Sequence, residues 1–231
     1  MKGLLLGILI WPILAIAEPY YVAHGAPGLF TEVNKAIIDL IYLDTGVEPV
    51  YIEEETSRGL ISANEGRASA ALYRVKSAAQ QYPNLLPLDQ PHYVVQIHAF
   101  SKQGIAITEW RHLADYKIAY LSGFVAAERQ TRGYQRLETK SLAQAFQLLQ
   151  ANRVDLLVAS RDSGLEYMQK NSIRDIQMYE HPLAKVPLFH FIHKRHQSLL
   201  PALNLNLQQQ LENGQIQRTI EQILGLSTSH D

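Results

Sequence analysis

The 231-residue chain contains no cysteine. That excludes a disulfide framework and leaves no thiol near the N-terminus to carry a lipid anchor, so a hydrophobic core must hold the fold unaided. Surplus charge is lacking too. A formal net charge of −1 offers no broad basic face, and nucleic acid is not an expected partner. The phosphate loop, the dinucleotide fingerprint and the strand–turn–helix serine elbow are all missing, so no cofactor is expected. Long apolar runs are missing after residue 17, whereas a membrane-spanning helix needs about 20 apolar residues. What is present is an ordinary globular composition, 47% apolar and 19% charged, which leaves no room for disorder or coiled coil. The length suits one large domain or two smaller lobes, each with its own core.

The first seventeen residues differ in kind from the rest. Met1-Lys2 precedes an apolar run from Gly3 to Ile16, interrupted by Pro12, and Ala15-Ile16-Ala17 stands before Glu18. A charged start, a short apolar stretch and small residues around a cut point define a secretory signal. The expected mature chain begins at Glu18 and is exported, soluble and not a lipoprotein.

A repeated pattern organises the remainder. Ser57 to Arg74 runs from helix-like spacing through Asn64-Glu65-Gly66 and Arg67 into the apolar run Ala68 to Tyr73. Ser141 to Ser160 does the same through Ala151-Asn152 and Arg153 into Val154 to Ala159. Both apolar runs are too short for buried helices and too continuous for half-exposed strands, so they read as sheet strands covered on both faces. Two such units predict two α/β lobes, with Ala70 and Leu157 in separate sheets. Ligands of open α/β sheets lie beyond the carboxyl ends of strands. Here those ends are Tyr73-Arg74 and Ala159-Ser160-Arg161.

Taken in order, strands are predicted at Tyr20 to Ala23, Pro49 to Ile52, Leu86 to Leu88, Lys117 to Leu121 and Ile176 to Tyr179, and helices at Leu29 to Tyr42 and Ser163 to Lys170. Thr56 or Ser57 is expected to cap the helix that follows Glu53-Glu54-Glu55. His92 to Ser101 and Pro187 to Lys194 alternate over long stretches and read as strands that leave one lobe for the other. Pro201 to Asn213 and Gln215 to Leu224 read as closing helices. Ser122, Gly123 and Phe124 fall at a strand-to-helix turn, where free N–H groups suit an anion.

The runs G-R-A-S-A-A (Gly66 to Ala71), D-Q-P-H-Y (Asp89 to Tyr93), W-R-H-L-A-D-Y-K-I-A-Y-L-S-G (Trp110 to Gly123) and N-R-V-D (Asn152 to Asp155), with the final helix after Asn213-Gly214, resemble the periplasmic solute-binding proteins of the type II fold. The branch in question serves polar amino-acid importers. The resemblance implies an α/β fold of two lobes joined by two crossing strands: residues 18–98 plus 186–231, and 99–185, after a signal peptide at 1–17. It implies a periplasmic monomer that captures a small-molecule ligand between the lobes and hands it to an inner-membrane ABC permease or a sensor. Two family features are absent. The arginine that usually grips the ligand carboxylate would fall near Gln81-Tyr82, and the acid that usually holds the amino group is replaced by Ser160.

The expected site is therefore anion-binding and comprises Arg74, Arg58, Tyr73, Ser122, Gly123, Phe124, Ser160 and Arg161, with Arg74 as the main grip through its fork of donors. Tyr20 and Tyr21 are further aromatics near strand ends, Tyr20 reading as core. His190, His193 and His196 have metal-like spacing, but residues three apart on a strand face opposite ways, so no metal site is expected. An enzyme of the dehydratase type on the same fold is the alternative, with Glu128 and Asp162 as its acids, and a sensor or interaction protein with a ligand-free cleft is another. Sequencing of the protein from its native host should read Glu18 first; an intact Met1 to Ala17 would reject the export signal.

Overall fold

The computed structural model describes residues 18–104, 107–121 and 124–225; the expected signal peptide, Ser122 and Gly123 lie outside them. The chain begins with Tyr20–His24 (β1), Leu29–Tyr42 (α1), Pro49–Glu53 (β2), Thr56–Asn64 (α2) and Ala70–Arg74 (β3). β1 pairs in parallel with both β2 and β3. α1 forms where the spacing requires, burying Val33, Ile37, Ile38 and Ile41 on one stripe. α2 opens one residue earlier than expected. Glu55 occupies its N-cap position, where Thr56 or Ser57 was expected.

A short 3-10 turn at Lys76–Gln80 leads to Leu85–Pro87 (β4) and the long Tyr93–Ser101 (β5). The βαβαβ pattern then recurs in Ile118–Leu121 (β6), Val125–Gln130 (α3), Arg136–Thr139 (β7), Leu142–Gln150 (α4) and Leu156–Ser160 (β8), with β6 parallel to β7 and β8. Ser141 caps α4, its hydroxyl accepting from Gln144 N at 3.2 Å. β7 has no counterpart among the sequence expectations. Its alternate residues Arg136 and Glu138 are exposed, so this edge strand lacks an apolar run. Arg161–Lys170 (α5), Gln177–Met178 (β9), Ala184–His193 (β10), Leu200–Glu212 (α6) and Gln215–Leu224 (α7) complete the chain.

The strands follow the order β2-β1-β3-β10-β5-β8-β6-β7. Each lobe thus contributes its second, first and third strands, and the two triplets meet the crossing strands β10 and β5 in mirror order. Ala184–Leu188 of β10 pair with β5, whereas the segment from Phe189 to Ile192 pairs with β3. The expectation of two separate sheets is corrected by this register. Ala70 and Leu157 belong to one connected ladder, because the crossing strands hydrogen-bond to each other as well as to their own lobes. Each triplet is covered on both faces: Ile37, Ile38 and Leu72 pack on one face of the first and Leu60, Ala63 and Ala71 on the other. In the second, Ile118 and Val158 lie on one side and Ala119, Phe146 and Leu157 on the other.

α5 lies tightly on β5. A Cβ built on Gly164 would meet the Phe100 ring at 2.1 Å, so glycine is required there by contact. Gly164→Ala should lower stability by about 1–3 kcal/mol through overpacking, read from urea unfolding, with partial recovery when Phe100→Leu is added. Unchanged stability would contradict this packing.

Candidate functional site

β1 and β3 run parallel, β8 runs the opposite way because three antiparallel pairings (β3 with β10, β10 with β5, β5 with β8) separate it from β3, and β3 reaches its end through an irregularity. Ile192 and Phe191 of β10 pair with Ala70 and Ala71, but Phe189 pairs with Arg74. Two residues of β3, Leu72 and Tyr73, therefore oppose the single His190, which is a β-bulge. The extra residue reverses the alternation beyond it. Tyr73 turns to the α1 side, where its ring meets Phe30 edge-on at 5.0 Å, and Arg74 becomes buried at 9% exposure. Arg74 Nη1 donates to the carbonyl of Tyr73 at 2.5 Å, and its guanidinium lies 5.7 Å from the Tyr73 ring centre. Burial lowers its pKa from the usual arginine value, with Tyr73 and Tyr82 opposing the shift.

Tyr73, and not Arg74, stands on the wall of a cleft of about 510 Å³ between the lobes. The first lobe supplies the loop after β1, Gly25 to Gly28, and the opening turn of α1; the second supplies Leu142 and one face of α5, namely Ser163, Glu166, Tyr167 and Lys170. Gly28 adopts φ 155°, ψ 171°, a conformation open essentially to glycine alone. Thr31 Oγ1 donates to Ala26 O at 2.9 Å, and Tyr73 OH lies 3.4 Å from Thr31 Oγ1. With the threonine proton committed, the tyrosine is the donor. Across the cleft, Tyr167 is held by stacking on Phe146 at 4.6 Å, and Lys170 pairs with Glu166 one turn away. The cleft thus sets the Phe30 and Tyr73 rings opposite a face on which Lys170 and Glu166 neutralise each other.

The other expected site residues are dispersed. Arg58 is exposed in the first turn of α2. Phe124 is half-buried against the core of the second lobe and is the N-cap of α3, which has only six residues. Ser160 ends β8 and precedes α5 without a side-chain cap bond. Arg161 pairs with Asp162 at 3.2 Å, and Tyr93 donates to the other oxygen of Asp162. Burial and the Asp162 carboxylate together push the Tyr93 phenol well above its ordinary pKa. Asp162, a candidate acid in the sequence, is thereby committed to joining β5 of the hinge to α5. Sequence reasoning missed Phe30, Glu166 and Lys170. The spacing 163, 166, 167, 170 marks one helical face, a signal that was legible.

Buried polar groups hold the bulge in shape. His190, fully buried, reaches Leu72 O with Nδ1 at 3.2 Å and Tyr42 OH with Nε2 at 2.9 Å. A carbonyl only accepts, so Nδ1 carries the proton, while Tyr42 OH donates to Tyr20 OH at 3.0 Å. His92 meets Asn34 Oδ1 through Nε2 at 2.8 Å. Burial pushes His92 down to about 3 and His190 down to about 4, and both rings are neutral.

No family model matches the chain. An uncharacterised protein of Shewanella oneidensis is 28% identical over 167 residues, 68% of this chain; the match spans 62% of that protein's length. Among solved structures, the GluR0 ligand-binding core in complex with L-glutamate superimposes with TM-score 0.73 at 17% identity, over 91% of this chain and all of that one. A histidine kinase sensor domain similar to periplasmic binding proteins gives 0.69 at 17%, over 90% and 96%. The amino acid ABC transporter substrate-binding protein AbpA from Streptococcus pneumoniae, bound to L-arginine, gives 0.65 at 16%, over 90% and 94%. The fold is the two-lobed type II periplasmic-binding-protein fold.

The histidines set a pH dependence. Unfolded, both take up protons below about pH 6.5, whereas folded they stay neutral to about pH 4. Their stability contribution is complete above pH 6.5 and lost on acidification, by roughly 1.4 kcal/mol per pH unit per histidine. Urea unfolding between pH 7 and 5 should show this slope. A flat profile would contradict two neutral buried imidazoles.

Proposed function

We propose that the protein captures a small solute in the cleft between its lobes and closes on it about β5 and β10. The observation that supports this most is the composition of the cleft wall, which draws Phe30 and Tyr73 from one lobe and Tyr167, Glu166 and Lys170 from the other. A ligand touching both walls favours the closed arrangement by its differential contacts. The ligand we propose has a flat or apolar part, which packs on the aromatic wall, and a carboxylate end. No side chain caps α1, and its opening turn lines the cleft, so backbone N–H groups and the positive end of the helix dipole are the partners for that end. In this reading Arg74 positions Tyr73 rather than gripping the ligand.

We place the protein in the periplasm, after removal of residues 1–17. No described helix is long and apolar enough to cross a membrane, and capture of this kind serves either an inner-membrane ABC permease or a sensor. The reading is one of binding without chemistry: of the two acids considered for a dehydratase-like mechanism, Asp162 is engaged by Tyr93 and Arg161.

Native mass spectrometry of the purified protein, followed by thermal-shift screening of small carboxylic acids, amino acids included, tests the reading. Tyr73→Ala should weaken the best ligand by about tenfold, roughly 1.4 kcal/mol, in calorimetry, while Tyr73→Phe keeps most of the affinity. A ligand bound equally well by Tyr73→Ala, or a best ligand with no acidic group, would overturn it.

A further inference from the structure

A second crevice, about 260 Å³ in volume, shares no lining residue with the cleft. It opens where the start of β5 meets the first turn of α5 and the helices α6 and α7. Arg161 and Asp162 form one wall, Gln96 and Gln217 offer amides, and Val94, Leu211, Ile216 and Ile220 supply apolar surface. Its charges are already matched: Arg161 pairs with one oxygen of Asp162 and Tyr93 donates to the other. No surplus charge remains to select an ion.

His92 also lines the crevice and is 1% exposed. Asn34 Nδ2 donates to Phe30 O at 2.7 Å, so its Oδ1 faces His92 Nε2 and accepts from it. The opposite nitrogen, Nδ1, is therefore a lone-pair acceptor, and it is buried without a hydrogen-bond partner among the described residues. Such a group is costly to leave unmet. It calls for a donor.

We infer that this hinge crevice is a binding site for a small uncharged amphiphile carrying an O–H or N–H donor, of the class of short-chain primary amides and alcohols. The donor meets His92 Nδ1, the amides of Gln96 and Gln217 meet the remaining polar atoms, and the short chain lies on Ile216 and Ile220. The volume falls below the roughly 300–1,000 Å³ of sites for drug-sized ligands, which limits the occupant to a few carbons. A carboxylate of the same shape is disfavoured, because it would be buried against Asp162 and would present no proton to His92. This inference does not depend on the cleft binding anything.

Titration of the full chain with butyramide, followed in amide ¹H–¹⁵N spectra, tests it, with butyrate as the charged isostere. Expected are saturable shifts at Val94, Gln96, Gln217 and Ile220 at millimolar butyramide, and binding of butyrate weaker by about tenfold or more. Ile220→Trp, which fills the crevice, should abolish the response; Gln217→Trp serves the same end if the first variant fails to fold. Tyr73→Ala should leave the response intact. Shifts centred on Phe30, Tyr73 and Tyr167, equal or tighter binding of butyrate, a response that survives filling, or no saturation, as for a crevice that holds water alone, would each overturn the inference.

Discussion

The pairing of β10 with β5 is the interaction on which the rest of the molecule depends. Each lobe ends its own parallel triplet with an interior strand, β3 or β8, that has one edge still to be satisfied. An unpaired edge of that kind is either covered or becomes a site for another chain. Here β10 covers β3 and β5 covers β8, and the two crossing strands then share five register pairs from Ala184 to Leu188. The lobes are therefore joined by backbone hydrogen bonds as well as by chain connectivity.

Irregularities in that ladder place the side chains of the cleft. The bulge opposite His190 sends Tyr73 to the cleft and Arg74 beneath the surface, and the carbonyl it frees at Leu72 is met by the imidazole. His190, Tyr42, His92 and Asn34 form polar contacts within an otherwise apolar core. Buried polar groups of this sort favour the arrangement that meets most of them. Phe30 joins the parts: its ring packs on Tyr73 at the cleft and on Tyr93 at the hinge, and Tyr93 in turn holds Asp162 on α5. Cleft and crossing strands are thus contiguous through side-chain packing.

Solved structures with this fold include an importer's substrate-binding protein, a glutamate-bound ligand-binding core and a kinase sensor domain. At 14–17% identity the likeness is one of backbone. Function must be argued from the residues that line the cleft, and in this chain those are aromatic and self-paired in charge.

The amino-acid sequence by itself determined the lobes and their elements. Helical spacing gave α1 and α7 their full bounds, and continuous apolar runs marked β3 and β8, because burial on one or two faces writes a period directly into the residues. The crossing strands were legible for the same reason, being long and alternating. β7 was not, since a short edge strand with exposed Arg136 and Glu138 has no apolar period to read. Only the tertiary structure decided which side of β3 faces the cleft. A one-residue bulge is a property of two paired strands, and without the register of β10 the sequence placed Arg74 on the wall where Tyr73 stands. It decided likewise that Asp162 is engaged by Tyr93, sixty-nine residues away, because such a contact is made by the fold and leaves no local signal in either segment.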